Sequence, residues 1–374
     1  MILKNCTFYN EVFVKEFGDI KIENGVIKEI GYFNEDGIDM SGKIILPGFI
    51  DIHIHGGNGG DFCDCDKSSL DKITSYLAKR GVTSCLATTM TLPVERLKKI
   101  AGFTADYAEN QKSGSKIVGI NLEGPYISMA KKGAQNGDFV AAGNADDVKQ
   151  IFDESRGMVK IITVAPEAFE SDEFIKTVSQ FCTVSIGHSS ADADECAKAV
   201  DCGATHATHL YNAMTPMTHR NAGIVGTVLD RENVTCEIIC DTEHVCPVVL
   251  RNTFKILGQD RAVAISDSMR GAGLGMGEFE LGGQTVYVKD GYKVAKLEDG
   301  TIAASITNLF DEFKNLLEIG IDLKTALKSC TINPARVIKE DDKIGSIAVN
   351  KCADLIVCDE NLNIEEVYIN GTRA

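Results

Sequence analysis

Six residues with metal-binding or acid–base side chains each stand at or near the C-terminal end of a short apolar segment. They are His53, His55, Glu123, His188, His209 and Asp267. Each segment has the length and composition typical of a buried β-strand. Because a barrel of parallel strands brings the C-terminal ends of all its strands to one rim, residues far apart in the chain would meet there. The sequence therefore predicts a metal site at the rim of a barrel.

The middle of the chain alternates strand-like and helix-like segments, which is typical of a parallel α/β fold. The candidate strands are residues 46–55, 82–90, 116–123, 159–166, 182–188, 205–210, 234–241 and 262–267. Eight strands is the number that closes a (β/α)8 TIM-like barrel. We therefore expect a single barrel over residues 46–344.

Both ends of the chain have a β-like pattern. Near the N-terminus, Asn24-Gly25 is a strong hairpin signal, and apolar segments recur near residues 353–358 and 367–371. We therefore expect residues 1–45 and 345–374 to form one small β domain beside the barrel. A further β-rich stretch with paired turn glycines predicts a hairpin insertion near 278–302.

Charge and cysteine content exclude several classes of protein. The net charge of −16 disfavours nucleic acid as a partner, because phosphate backbones require a basic face. No apolar run approaches the roughly 18 residues that span a bilayer, and the N-terminus lacks a signal-peptide pattern. The odd count of 13 cysteines favours reduced thiols over disulfides. We expect a cytoplasmic protein without a membrane partner.

His53 and His55 are two residues apart, so on a strand both rings would point to one face and could bind one ion. The alternative is a surface pair. Glu123 ends an apolar strand, where a carboxylate is costly unless it is paired or metal-bound. Its alternative is a salt bridge across the barrel, but Gly124-Pro125 turns the chain at this point and places Glu123 at the rim.

His188 and His209 occupy corresponding points of two successive strands, which favours metal ligation over the alternative of satisfied core histidines. His206 should point elsewhere and is interpreted as structural. Asp267 is the candidate general base, since a carboxylate beside a metal can accept the proton of the attacking water. The alternatives for Asp267 are a helix N-cap or a loop salt bridge.

Together these residues resemble the amidohydrolase superfamily, and within it the deacetylases of amino-sugar phosphates. The resemblance rests on residues 47–56 (PGFIDIHIHG), 122–125 (LEGP), 131–134 (KKGA), 187–188 (GH), 208–214 (THLYNAM) and 266–267 (SD). It implies a barrel with a small β-sandwich built from both termini. It also implies hydrolysis of the acetamide of N-acetylglucosamine 6-phosphate to glucosamine 6-phosphate and acetate, in amino-sugar catabolism or recycling.

The resemblance also assigns roles. Glu123, His188 and His209 match the principal metal ligands, and Asp267 matches the catalytic acid/base. Some members bind a second metal through the first-strand histidines, so one or two divalent ions (Zn, Fe, Mn or Co) are expected. The family is commonly dimeric, which implies a homodimer in which a neighbouring subunit contributes phosphate contacts.

Substrate contacts carry over by position. The matching residues are Ala134, Gln135, Asn212, Ala213, Arg220 and His244. Arg220 supplies a planar fork suited to phosphate, and its alternative is a solvated loop cation. For His244 the alternative is a capping or buried ring. Many members carry histidine where this chain has Gln135, which can still donate a hydrogen bond to substrate but cannot be charged.

Three other functions compete with this interpretation. One is a deacetylase for a related sugar such as N-acetylgalactosamine 6-phosphate. Another is a cyclic amidase, but many of these enzymes use a modified lysine where this chain has Glu123. The third, a non-catalytic sugar-phosphate sensor, predicts loss of a metal ligand or of the base, and all of them are present.

Overall fold

The computed structural model describes residues 1–169 and 172–374, and its centre is a parallel sheet of eight strands. Neighbouring strands in this sheet follow one another in the chain, as in a barrel. The strands are Phe49–Asp51, Val82–Thr89, Lys116–Glu123, Val159–Val164, Thr183–Ile186, Ala204–Ala207, Thr235–Ile239 and Ala262–Ile265. All eight predicted strands are present, and the α/β barrel fold is confirmed.

The first and last strands are joined just beyond their C-terminal ends. The backbone N–H of Asp267 donates to the carbonyl of His53 at 2.9 Å. One step earlier in the chain, the Ser266 hydroxyl donates to Asp51 Oδ2 at 2.5 Å. These bonds close the ring of strands and bring Asp267 beside the two first-strand histidines.

Helices separate the strands of the barrel, as the alternating pattern of the sequence predicts. They are Lys67–Lys79, Val94–Asn110, Ala145–Glu154, Glu173–Val178, Ala193–Asp201, Gly223–Asp230, Pro247–Arg261, Leu309–Glu318, Leu323–Cys330 and Ile332–Val337. Short 3-10 turns lie at Phe62–Asp64, Met129–Lys131, Gly137–Phe139 and Pro166–Ala168. Most of these helices bury an apolar face against the barrel, in one continuous core.

Strands from both ends of the chain pair into a second sheet. Its strands are Ile2–Tyr9, Lys15–Glu23, Val26–Gly31, Ile38–Asp39, Ile44–Pro47, Leu355–Cys358, Ile364–Ile369 and Thr372–Arg373. The central pairing is antiparallel, between Ile44–Pro47 and Leu355–Cys358. A separate apolar core lies on this sheet, so the predicted small β domain is confirmed. The exact boundaries, 1–45 with 345–374 and 46–344, stay a prediction.

The predicted first strand, 46–55, is wrong in its limits. The chain leaves the terminal sheet at Pro47 and enters the barrel at Phe49. The break falls at Gly48, where a Cβ atom would lie 2.2 Å from Thr83 Oγ1, so the close approach requires glycine. The barrel strand then ends at Asp51, and the two histidines lie beyond it.

The insertion predicted near 278–302 is larger than a hairpin. It is a four-stranded antiparallel sheet of Gly277–Leu281, Gln284–Val288, Val294–Lys296 and Ile302–Ser305. The Gln284 side-chain amide donates to the carbonyl of Ala134 and links this sheet to a loop at the barrel rim. The insertion therefore lies over the end of the barrel where the candidate site is.

Truncation of Phe313 tests the packing of the barrel core. Phe313 is fully buried, and its ring meets that of Phe49 edge to face at a centroid distance of 5.2 Å. We expect Phe313→Ala to lower the free energy of unfolding by about 3–5 kcal/mol, measured by urea denaturation. Phe17→Ala is the matched control, because Phe17 is 57% exposed and should cost little. Equal effects of the two changes would contradict the assigned core.

Within residues 1–169 and 172–374, none of the helices combines the length and apolar character needed to cross a membrane.

Candidate metal centre and active site

Four of the six candidate residues share one local geometry at the barrel rim. His53, His188, His209 and Asp267 each lie two residues beyond the end of a barrel strand, whereas Glu123 is the last residue of its strand. Three of the four have a positive φ: 46° at His188, 27° at His209 and 46° at Asp267. This backbone region is uncommon for residues other than glycine. It turns the side chains inward over the end of the barrel.

Glu123 lies at the centre of the cluster. Its Oε1 atom is 2.9 Å from Nε2 of His188 and 2.9 Å from Nε2 of His209. The same oxygen is 3.5 Å from Nε2 of His53, and Oε2 is 3.2 Å from Nε2 of His55. The structure thus brings together one carboxylate and all four histidines predicted as ligands.

Asp267 joins the cluster on the side of the first-strand histidines. Its Oδ1 atom lies 3.6 Å from Nε2 of His53 and 3.4 Å from Nε2 of His55. Two overlapping groups therefore have ligand atoms close enough to share a cation: His53 with Glu123 and His209, and His53 with His55 and Asp267. His53 is common to both groups.

The proton positions of His188 and His53 favour a cation over hydrogen bonds at the centre of the cluster. Nδ1 of His188 lies 2.8 Å from the carbonyl oxygen of Lys131, which can only accept, so Nδ1 carries the proton. In a neutral His188 ring the lone pair of Nε2 then points at the Glu123 carboxylate. Nε2 of His209 lies 3.2 Å from Nε2 of His188. Several acceptors that face one another at these distances fit a bound metal ion.

His53 shows the same arrangement. Its Nδ1 atom donates to Glu237 at 2.9 Å, and its buried Nε2 atom has no hydrogen-bond partner. A histidine that donates one ring nitrogen to a carboxylate and leaves the other free is typical of metal ligands in proteins. The residues present therefore fit a divalent cation.

The electrostatics of the pocket favour positive charge. Burial raises the pKa of Glu123, but the neighbouring imidazoles of His53 and His188 outweigh it and hold this pKa well below its usual range. Burial also raises the pKa of Asp267, but His53 and His55 outweigh it and hold this pKa below its usual range. Both carboxylates are therefore ionised in a buried pocket, where a cation stabilises them.

Gln135 supports Glu123. The backbone N–H of Thr91 donates to Gln135 Oε1 at 2.7 Å, which leaves the amide nitrogen to donate to Glu123 Oε2 at 2.5 Å. The sequence predicted a hydrogen bond from Gln135 to substrate. In the structure one N–H of this amide is engaged with the Glu123 carboxylate, and a contact of Gln135 with substrate stays a prediction.

A cavity of about 320 Å³ opens beside the metal cluster. Five of the six residues predicted to bind substrate line it: Ala134, Gln135, Asn212, Ala213 and His244. Arg220 does not line this cavity and is exposed on the loop before the helix Gly223–Asp230. The structure thus brings all the predicted contacts except Arg220 to one pocket within the chain.

Sequence reasoning missed several residues of this site. Glu237, on the seventh barrel strand, accepts a hydrogen bond from His53, and the Lys131 carbonyl accepts one from His188. Residues 301–303 of the insertion also line the cavity. A charged residue inside the apolar strand Thr235–Ile239 was a usable signal for Glu237, whereas nothing in the sequence marks a backbone carbonyl.

The amidohydrolase family model matches residues 44–374 of the chain, which include the whole metal cluster. The chain belongs to the amidohydrolase family. The match begins at the strand Ile44–Pro47, so it covers the barrel and the later strands of the terminal sheet but not its strands between Ile2 and Asp39.

Individual relatives of this amidohydrolase are similar over nearly their full length. N-acetylglucosamine-6-phosphate deacetylase of Bacillus subtilis (strain 168) is 32% identical, with 100% of this chain and 97% of the relative covered. N-acetylgalactosamine-6-phosphate deacetylase of Escherichia coli O157:H7 is 29% identical, with 95% and 94% covered.

A solved structure is also similar to this amidohydrolase. It is an Asp-to-Ala variant of N-acetyl-D-glucosamine-6-phosphate deacetylase from Mycobacterium smegmatis, in complex with N-acetyl-D-glucosamine-6-phosphate. The TM-score is 0.93 at 26% identity, and the alignment covers 100% of this chain and 98% of that one.

Proposed function

We propose that this amidohydrolase hydrolyses the acetamide of N-acetyl-D-glucosamine 6-phosphate to D-glucosamine 6-phosphate and acetate, in amino-sugar catabolism or recycling. The observation that carries the proposal is the position of Asp267. Its carboxylate contacts the histidine cluster and at the same time lines a cavity of about 320 Å³. An acid–base group, a cation site and a substrate pocket therefore share one wall, as amide hydrolysis requires. Relatives that carry this activity in their names support the choice of substrate.

We assign Glu123, His188 and His209 as the principal ligands of a divalent metal, and His53 and His55 as ligands of a second one. A bound divalent ion would lower the pKa of water to about 7 and polarise the acetamide carbonyl. Nitrogen and carboxylate ligands suit Zn, Fe, Mn or Co. Gln135 keeps the Glu123 carboxylate in place through its amide hydrogen bond.

Asp267 moves the proton. In the proposed reaction its ionised carboxylate accepts the proton of the attacking water, and the oxygen of that water forms a bond to the acetamide carbon. Asp267 then donates the proton to the sugar nitrogen as the C–N bond breaks, because an amine leaves poorly unless it is protonated. The products are acetate and the amino sugar, whose amine takes up the second proton of the water as an ammonium group, so atoms and charges balance.

The remaining cavity residues bind the sugar and its phosphate in this proposal. They are Ala134, Asn212, Ala213 and His244. Nδ1 of His244 lies 2.6 Å from Asp241 Oδ2, and this contact holds the ring at the cavity wall. Burial lowers the pKa of His244, but the hydrogen bond to Asp241 outweighs it and raises this pKa, so the ring suits an anionic group.

We further propose a homodimer. Arg220 is exposed and does not line the cavity of its own chain, and Met217 on the same loop is 55% exposed. An exposed apolar residue beside a guanidinium suits contact with a second copy, whose phosphate site Arg220 would complete. A sedimentation experiment measures the oligomeric state, and a monomer would remove this part of the proposal.

We also propose that the protein works in the cytoplasm. All 13 cysteines are free in the structure, and burial raises the pKa of several of them, such as Cys85, to about 12. Unpaired thiols in this number fit a reducing compartment. Among the described residues, neither Cys63 nor Cys65 belongs to a candidate metal group.

Acetate release from purified, metal-loaded protein tests the proposed substrate. The panel contains N-acetylglucosamine and N-acetylgalactosamine, each with and without a 6-phosphate. We expect the highest kcat/KM for N-acetylglucosamine 6-phosphate. A preference for N-acetylgalactosamine 6-phosphate would support the alternative that the Escherichia coli relative suggests. No acetate from any of the four sugars would contradict deacetylation of amino sugars.

A further inference from the structure

Glu237 is a buried carboxylate inside the barrel that the proposed reaction does not use. It lies in the strand Thr235–Ile239 and is fully buried. Its Oε2 atom accepts from Nδ1 of His53 at 2.9 Å and from the backbone N–H of His209 at 3.2 Å. Its Oε1 atom lies 3.2 Å from Nε2 of His206. One carboxylate thus contacts three histidines, two of them assigned as metal ligands.

We propose that Glu237 is a positioning residue that selects the metal-binding form of His53 and thereby controls occupancy of the second metal position. The inference rests on the proposed role of His53 as a ligand. Glu237 lies in the strand Thr235–Ile239, which contributes no metal ligand and no catalytic base to the rim.

The argument begins with the proton of His53. A neutral imidazole carries one N–H, and donation from Nδ1 to Glu237 leaves the lone pair on Nε2. That atom faces Oε1 of Glu123 at 3.5 Å and Oδ1 of Asp267 at 3.6 Å and has no hydrogen-bond partner of its own. Without Glu237 the proton could sit on Nε2 and bond either carboxylate, which would close the site to a cation.

His206 keeps the Glu237 carboxylate in its orientation. The other ring nitrogen of His206, Nδ1, lies 2.6 Å from Thr235 Oγ1, and the whole ring is buried. The structural role predicted for His206 is therefore to hold the Glu237 carboxylate. His206 occupies Oε1 of Glu237, so that Oε2 is left for His53 and His209.

The contact with His209 links the two metal positions. His209 has a φ of 27°, and the Glu237 side chain accepts its N–H while the Glu237 carbonyl accepts the N–H of Leu210 at 2.8 Å. The same residue therefore constrains a principal ligand through its backbone and a second-position ligand through its ring. Removing the carboxylate should affect the second position more, because the main-chain bond to Leu210 remains.

Metal affinity tests the inference without reliance on activity. Wild type and the variants Glu237→Ala, Glu237→Gln, His53→Asn and the double variant Glu237→Ala/His53→Asn are titrated with Zn²⁺ against a competing chelator. We expect Glu237→Ala to weaken the second equivalent about 10- to 100-fold and Glu237→Gln to weaken it less, since the amide oxygen can still accept from Nδ1. The double variant should bind the second equivalent no more weakly than His53→Asn alone, because at that position the carboxylate acts through the His53 ring.

Thr235→Val is the matched control inside the same network. It removes the partner of His206 Nδ1 but leaves the contact between Glu237 and His53, so both equivalents should bind as in the wild type. Nitrogen-15 spectra of the metal-free protein give a second readout, in which the His53 proton resides on Nδ1 in wild type and is redistributed in Glu237→Ala. Circular dichroism confirms that each variant is folded.

Four results would overturn the inference. One is wild-type binding of the second equivalent by Glu237→Ala. Another is an equal loss in Thr235→Val, which would assign the effect to general disturbance of the barrel interior. The third is an additive loss in the double variant. If His53→Asn itself binds both equivalents normally, the ligand role of His53 fails and the inference with it, whereas acetate release by wild type would still support the proposed reaction.

Discussion

Replacement of Asp267 by asparagine should lower the turnover of N-acetylglucosamine 6-phosphate by about 10²- to 10⁴-fold. The amide has nearly the shape of the carboxylate but cannot accept the proton of the attacking water or return it to the sugar nitrogen. The backbone should tolerate the change, since Asp267 has a φ of 46° and asparagine adopts this conformation more readily than most residues. The metal held by Glu123, His188 and His209 should remain, because Asp267 is not one of its ligands.

Acetate release and elemental analysis of the same preparations measure these two expectations together. Asp299→Asn is the matched control: it makes the same chemical change on the exposed turn before Thr301, which lines the cavity. The control should turn over like the wild type. Asp267→Asn protein with near-normal turnover would remove this residue from the proposed reaction. Loss of all bound metal would instead make Asp267 a ligand of the first position.

Glu123→Gln should abolish both metal binding and activity, with turnover reduced at least about 10³-fold. Oε1 of Glu123 faces two histidine nitrogens at 2.9 Å. A glutamine amide can place N–H donors at this point, so it would satisfy the imidazole lone pairs by hydrogen bonds and exclude the cation. The loss of the negative charge at residue 123 also removes the electrostatic attraction between this side chain and a cation.

Glu312→Gln is the control for this change. Glu312 is equally buried, and burial together with the nearby Asp241 raises its pKa well above the usual range, which favours the neutral carboxyl. Its Oε2 accepts the N–H of Cys240 at 2.6 Å, which an amide oxygen can also do. Metal content and turnover should therefore be unchanged in Glu312→Gln. Full metal content in Glu123→Gln would contradict the assignment of Glu123 as the central ligand.

The positions of the metal residues could be predicted from the sequence because the period of the apolar segments marks each strand, and the barrel fixes where strands end. The argument for His53 and His55 was nevertheless wrong in one step. Both were expected on a strand with their rings on one face, but the strand ends at Asp51. Their rings converge because the chain beyond the strand bonds to Asp267, and a pairing between the two ends of a barrel is invisible to local periodicity.

Residues whose role depends on a partner were harder to predict. Gln135 follows a loop motif that suggested contact with substrate, and only the positions of Thr91 and Glu123 show that its amide is already engaged. The insertion sheet was recognised as β structure, but its place over the cavity depends on how it folds back on the rim. Such contacts join residues without any shared pattern in the chain, so they require the three-dimensional structure.

The left-handed backbone at His188, His209 and Asp267 has a consequence for the choice of ion. Conformations of this kind persist only where the surrounding structure enforces them, and hydrogen bonds from Ser128 to His188 and from Ser305 to Asp267 do so here. The backbone therefore orients these side chains before a cation binds. Because the ligand atoms are fixed in advance, the geometry of the site and the supply of each ion in the cell together decide which of several similar ions is carried.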